Sequence, residues 1–365
     1  MCRRGCRCVP DNPGMPNQGS QSVAGLSPKA VGWTAAVVTV LIWTSFIVIA
    51  RASADPARGG VLNPFDIVYA RLCGAGLFLL PLGLWLNWRD RIRSEELGVA
   101  QARAFGSLGG LSPLPLSQTL QAGLFGGLLY ATLAYNGFVF APAAHASVLM
   151  PGSLPLWTAL LAIALLGERM TAMRALGLAL IVGGDLLVGG SSLLHAFDGS
   201  GVWRGDVLFM LASFVWSVYS VLVRRWGLDA VRATVAITAF TFVLYVPAYT
   251  VLVLLQWVPG NVFTAPWQDV LFQMGFQGVG SVVISGITFT RMIQYFGPVR
   301  STMITALVPG MSAIAAAVFL GEPLPWNLLA GLALVTLGIV FGVRAVKQIA
   351  IKTGAAHAVP AGAKP

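Results

Sequence analysis

Two stretches decide the architecture: PLWTALLAIALLGE at 155–168 and PGMSAIAAAVFLGE at 309–322. Each opens on a proline, runs through apolar residues and closes on Leu-Gly-Glu. The shift between them is 154, from Pro155 to Pro309. The same shift lays Gly177-Leu178-Ala179-Leu180 on Gly331-Leu332-Ala333-Leu334, Gly184 on Gly338 and Ser147 on Ser301. A shift of 152 matches Gln121, Gly123 and Gly126 to Gln273, Gly275 and Gly278. A shift of 173 matches Gly32, Trp43, Val48 and Arg51 to Gly205, Trp216, Val221 and Arg224. Glycine and alanine coincidences come easily in such a composition. A proline, a tryptophan and a Gly-Glu pair in one register do not, so the chain reads as duplicated.

The duplicated unit is built for lipid. Of the 365 residues, 56% are hydrophobic and 10% charged, whereas soluble domains carry about 25% charged residues. Mean hydropathy is +0.78, and no Asp, Glu, Lys or Arg occurs between Ala104 and Gly167. A helix crosses the hydrocarbon core with about 20 apolar residues, and its backbone must be paired internally. Ten such runs are present: Val31–Ala50, Phe65–Trp85, Gln121–Phe140, Ser147–Leu166, Ala175–Ser191, Asp206–Val223, Thr234–Leu255, Val270–Phe289, Ser301–Leu320 and Trp326–Val343. Ala141-Pro142-Ala143 and Gly297-Pro298 are expected to separate the close pairs. The first run is longer than a signal-peptide core of roughly 7–15 residues and matches an internal run, so it reads as a retained helix.

The formal charge of +10 does not gather on one domain, which argues against a nucleic-acid partner. With the N-terminus inside, nineteen Lys and Arg fall on inner segments, three (Arg51, Arg58 and Arg204) on outer ones, and Arg71 within a span. This positive-inside bias places both termini in the cytoplasm. Five spans per copy is an odd number, so the second copy enters from the opposite face. The expected organisation is a disordered cytoplasmic tail at 1–28, one repeat at 29–190, a second at 203–344 and a cytoplasmic tail at 345–365. Inverted repeats of this kind recur in secondary transporters, which hold substrate near the midplane.

Several segments carry a resemblance. Leu-Ile-Trp-Thr-Ser at 41–45, Pro155 through Leu-Gly-Glu-Arg at 166–169, Gly205-Asp206 with Trp216, and Val308-Pro309 through Leu-Gly-Glu-Pro at 320–323 resemble the EamA-type family of the drug/metabolite transporter superfamily. The resemblance covers about Val31–Val343. It implies an all-α membrane fold of ten helices in two inverted five-helix repeats, cytoplasmic termini, and often export of amino acids or other metabolites. A drug or other metabolite efflux or uptake carrier of the same fold is the alternative. The tail before Ser27 and the charged stretch Arg89–Arg103 fall outside the pattern.

Candidate pathway residues follow from the cost of polar groups in a bilayer. Gln273, Gln277, Ser281 and Ser285 recur at i+4 with Thr288 following, which lines one helix face. They offer hydrogen bonds to a polar solute; the plainer alternative is interhelical bonding worth about 0.6 kcal/mol per contact. In the third run Thr132 and Asn136 share a face, and Tyr130 and Tyr135 offer a solute apolar walls or cation-holding ring faces, the alternative being interfacial belt tyrosines. Trp43 and Trp216, related by the repeat, read as cavity walls or as ordinary packing. Arg71 is suited to bidentate recognition of a carboxylate, to pairing with Asp66, or to snorkelling to the outer interface. Pro155 and Pro309 would each free a carbonyl within a helix and serve as gating kinks. Asp185 is the candidate proton carrier, or an interfacial acid. Glu168 and Glu322 read as helix terminators, and His145 as incidental.

No enzyme is expected. Gly184-Asp185 has no second acid at its depth to make an aspartyl dyad, and there is no phosphate-binding loop or zinc motif. Cys2, Cys6, Cys8 and Cys73 give no disulfide framework, the first three being read as part of a tail without a metal. No cofactor is called for. The expected partners are the lipid bilayer and a small-molecule substrate.

Overall fold

The computed structural model describes residues 28–96, 106–168, 170–196 and 199–356; the tail cysteines and the 1–27 and 357–365 termini lie outside it. Among the described residues the fold is all-helical, with no strand beyond one isolated bridge between Ser107 and Ser112. Eight of the described helices are long and apolar enough to cross a membrane. They are α1 (Lys29–Ala54), α2 (Pro64–Ser94), α3 (Leu116–Phe140), α4 (Ala143–Leu165), α5 (Ala172–Leu194), α6 (Val202–Arg225), α7 (Ala230–Leu254) and α8 (Trp267–Phe296). Two shorter apolar helices follow, α9 (Leu307–Leu320) and α10 (Trp326–Gly342). Large apolar side chains such as Leu77, Leu186, Val318 and Phe319 cover the outside. Hydroxyls, amides and acids such as Thr39, Asp66, Ser153 and Gln277 are buried. That distribution suits a lipid solvent, in which apolar surface needs no shelter.

The Leu-Gly-Glu signature has a backbone cause. Gly167 and Gly321 end α4 and α9 in the left-handed region, at φ +67° and +65°. A side chain there would be strained, and the turn lets the Glu168 and Glu322 amides bond back to Ala162 and Ala316 carbonyls. Several helix–helix seams then hold the bundle. α1 packs on α8 and α9, α6 on α3 and α4, α2 on α7 and α8, and α5 on α10. The α5–α10 seam is made of glycine: a Cβ at Gly177 would meet the Gly338 carbonyl at 2.8 Å, and one at Gly184 the Gly331 carbonyl at 2.6 Å. Small residues let two backbones approach this closely in membranes. Gly184→Leu is therefore expected to destabilise the protein by about 1–3 kcal/mol through overpacking, read as a lowered thermal midpoint in detergent.

Three readings of the sequence change. The helix that begins at Ser285 continues through Gly297-Pro298 to Thr305, and the break falls at Ala306. Gly297-Pro298 thus does not separate two helices; a bilayer-depth helix tolerates a proline when neighbours satisfy the freed groups. Pro309 consequently lies in the first turn of α9. Pro155 likewise sits at the start of the helical segment Leu154–Leu166, just after a turn at Ser153. Neither proline interrupts an established helical hydrogen-bond ladder, because first-turn amides have no intrahelical acceptor. Finally, α2 carries Arg89, Arg91 and Arg93 on its own helical extension, with the rest of that charged stretch outside the described residues.

Candidate functional site

A buried polar cluster forms where α1, α2, α3 and α8 meet. The Arg71 guanidinium on α2 lies 3.3 Å from the Tyr135 hydroxyl on α3 and 5.7 Å from the centre of the Phe46 ring on α1. Tyr135 donates to Gln277 Oε1 on α8 at 2.9 Å. One turn away Gln273 Nε2 donates to Ser53 Oγ at 2.8 Å. Both amides are buried, and each keeps one atom without a partner: Gln273 Oε1 and Gln277 Nε2. Among the described residues no carboxylate stands within ion-pair distance of Arg71. Asp66 does not take that role, since it is saturated by Tyr249 Oη, the Asn261 and Val262 amides and the Asn63 amide.

The remaining sequence candidates sort themselves around this centre. Thr288 accepts from Thr39 Oγ1 at 2.8 Å, and Trp43 lies 5.2 Å from Phe289, so both join α1 to α8. Tyr130 packs on Trp216 at 4.6 Å, joining α3 to α6. Ser285 donates to the Ser281 carbonyl and Asn136 to the Thr132 carbonyl, each within its own helix. These hydroxyl and amide groups are occupied locally rather than brought to the Arg71 cluster. Asp185 sits elsewhere, on a cavity between α4, α5 and α6. The stripe on α8 runs through a π-helical stretch, Met274–Ile284, and α3 has another at Leu124–Leu129. Such stretches are frequent at functional sites.

Among the ion pairs that join the halves of the chain, two matched by the repeat shifts lie at opposite ends of the bundle. At one end Arg51 Nε lies 3.5 Å from Glu322 Oε1, while its Nη1 donates to the Phe138 carbonyl. Glu322 also accepts from the Ala143 and Ala144 amides at 3.1 Å each, capping the start of α4. At the far end of α4, Glu168 pairs with Arg224 at 2.5 Å and Arg174 at 2.8 Å. Arg51 and Arg224 are matched by the 173 shift, and Glu168 and Glu322 by the 154 shift. Helix termination alone therefore does not account for the two glutamates. The pairs differ in surroundings: the Arg51 and Glu322 side chains are 13% and 5% exposed, Arg224 and Glu168 62% and 23%.

A family model of the EamA-like transporter family matches residues 30–190 and again 203–344. The chain belongs to that family. The EamA-like chain is 25% identical over 220 residues to the "Uncharacterized transporter YyaM" of Bacillus subtilis (strain 168), an alignment covering 60% of this chain and 68% of that protein. A solved structure described only as "Crystal structure of protein" superposes with a TM-score of 0.51 at 20% identity, over 88% of this chain and 97% of its own. It speaks for the fold alone. This is a multi-pass membrane protein of a transporter family.

In this EamA-like chain the Glu168 pair lies beyond the end of α4. Burial pushes the Glu168 carboxyl up, but hydrogen bonds and charge from Arg174 and Arg224 outweigh it and hold the group below its ordinary value. A lowered carboxyl value contributes stability that is present at neutral pH and lost as the pH falls through the folded value. Thermal stability is thus expected to be insensitive to this group between pH 7 and about 5, and to lose up to about 1 kcal/mol from it below about pH 4. Glu168→Gln should remove that acid-dependent increment; an identical acid profile in the variant would refute the assignment.

Proposed function

We propose that this protein is a plasma-membrane carrier with ten crossings in two inverted five-helix repeats (29–190 and 203–344), both termini cytoplasmic. It exports small polar metabolites, amino acids or related compounds, by alternating access. The observation that carries the reading is the pair of cross-repeat ion pairs in unlike states. Under exchange of the repeats α1 becomes α6 and α9 becomes α4, so Arg51–Glu322 and Arg224–Glu168 are the same contact made twice, once at each end. One copy is buried and reinforced, the other open to water, as expected of a carrier closed at one face. The substrate reads as carboxylate-bearing, because Arg71 presents a guanidinium without an acidic partner beside Tyr135, which leads on to the Gln277 amide.

Flux into proteoliposomes, with a panel of amino acids, purines and sugars and with or without a pH gradient, tests the function. Saturable movement of carboxylate-bearing members supports it; flux of none of them refutes it. Phosphatase and fluorescent reporters fused after Thr353 test the topology, and an active periplasmic phosphatase there would overturn the ten-span arrangement.

A further inference from the structure

The cavity that holds Asp185 is separate from the Arg71 cluster and has a chemistry of its own. Its volume is about 260 Å³, and α4, α5 and α6 enclose it. Asp185 and Asp206 are its charged lining residues, and no Lys or Arg lines it. The two acids are not equivalent. Asp206 has its partners within the protein, accepting from His145 Nδ1 at 2.9 Å and from Ser192. Asp185 is 7% exposed, and neither of its oxygens has a hydrogen-bond partner. Trp157, also on the lining, is likewise without a partner for its indole N–H. It packs edge-on against Phe214 at 5.3 Å to make an aromatic face. Exposed Leu186, Leu193 and Leu211 frame the opening, so the cavity faces lipid.

A buried carboxylate with no partner is costly in hydrocarbon, and the cost is relieved by a cation with N–H donors. Aromatic faces favour the same charge. The rest of the lining is aliphatic or glycine, which suits an apolar body. Drug-sized pockets run about 300–1,000 Å³, so this one admits a compact guest. We propose that the α4–α5–α6 cavity is a binding site for a small amphipathic ammonium ion, a protonated amine on an aromatic or short aliphatic body, which enters from the bilayer and is held by Asp185. Ile339 stands at the position matching Asp185 in the second repeat, so the site exists once per chain.

The test uses purified full-length protein in detergent, with 2-phenylethylammonium as probe and 2-phenylethanol as its neutral counterpart, by titration calorimetry. The ammonium ion should bind with a dissociation constant of about 1 mM or tighter, and the alcohol about tenfold more weakly or worse, the value of one charge-assisted bond. Asp185→Asn, which keeps shape and removes charge, should weaken the ammonium by a similar factor. Gly190→Leu, on the cavity lining and clear of neighbouring backbone, should fill the space and weaken both guests while leaving Asp185 in place. Variants are first checked for an unchanged thermal midpoint, and either one that passes suffices. Equal affinity for amine and alcohol would mean a plain apolar cavity and overturn the proposal. So would unchanged ammonium binding in the variants, or no binding by the parent.

Discussion

Replacing Arg51 by alanine should lower transport by roughly tenfold or more, whereas Arg224→Ala should change it by no more than about twofold. The two arginines occupy matched positions, so the contrast isolates environment from chemistry. The Arg51 side chain is only 13% exposed and holds Glu322, Asp55 and the Phe138 carbonyl together. Removing one member of a buried charge cluster leaves the others desolvated and costs about 3–5 kcal/mol. That cost falls on the state closed at this end. A shift of about 3 kcal/mol moves a two-state ratio by more than a hundredfold, enough to strand a carrier in one conformation. Arg224 is largely exposed, and such pairs contribute about 0–1 kcal/mol. A cysteine at Gln277 should therefore react faster with a hydrophilic thiol reagent added at the Arg51 face in the Arg51→Ala background, measured with Cys73 removed. Equal transport loss in the two arginine variants would sink the asymmetric-closure reading.

Arg71→Gln should cost about ten- to a hundredfold in kcat/KM for carboxylate substrates, and little for uncharged ones. A charge-assisted hydrogen bond contributes about 1.5–3 kcal/mol, and glutamine offers one neutral donor group in place of the forked guanidinium. Arg71→Lys should fall between, since a point charge replaces planar two-pronged geometry. Tyr135→Phe removes the hydroxyl that links Arg71 to Gln277, and a smaller loss is expected. Transport rates in liposomes over a substrate concentration series separate the affinity part from the turnover part. Unchanged kcat/KM for a carboxylate in Arg71→Gln would remove the guanidinium from the pathway.

Composition and repetition carried most of the fold. The apolar runs, the duplicated Leu-Gly-Glu ends and the Ala141-Pro142-Ala143 break all lie in short segments whose physics is local. The Gly297-Pro298 break misled because a proline reads as a stop in isolation, yet the packed surroundings of a membrane helix can satisfy what it frees. Pro155 and Pro309 were visible as a pair, but their place in the first turn depended on where the preceding segment ended. The Arg71–Tyr135–Gln277 link was legible only as three separate candidates, since its members come from three helices. The Arg51–Glu322 and Arg224–Glu168 pairs were hidden for a similar reason. Both charges recurred in register, but each partner belongs to the other repeat, and no spacing rule joins residues so far apart. His145 reads as incidental in the sequence, and its contact with Asp206 was not legible there because that acid lies on another helix.

The glycine seam has an evolutionary consequence. Gly177 meets Gly338 and Gly184 meets Gly331, while the 154 shift pairs Gly177 with Gly331 and Gly184 with Gly338. The surface on α5 is thus complementary to its own copy on α10, the geometry of an isologous dimer folded into one chain. A self-mating surface can join two separate five-helix chains as readily as two halves of one. Once fused, each half escapes the requirement that a substitution appear twice. Asp185 lining a cavity while Ile339 stands at the matching position is the kind of divergence that fusion permits.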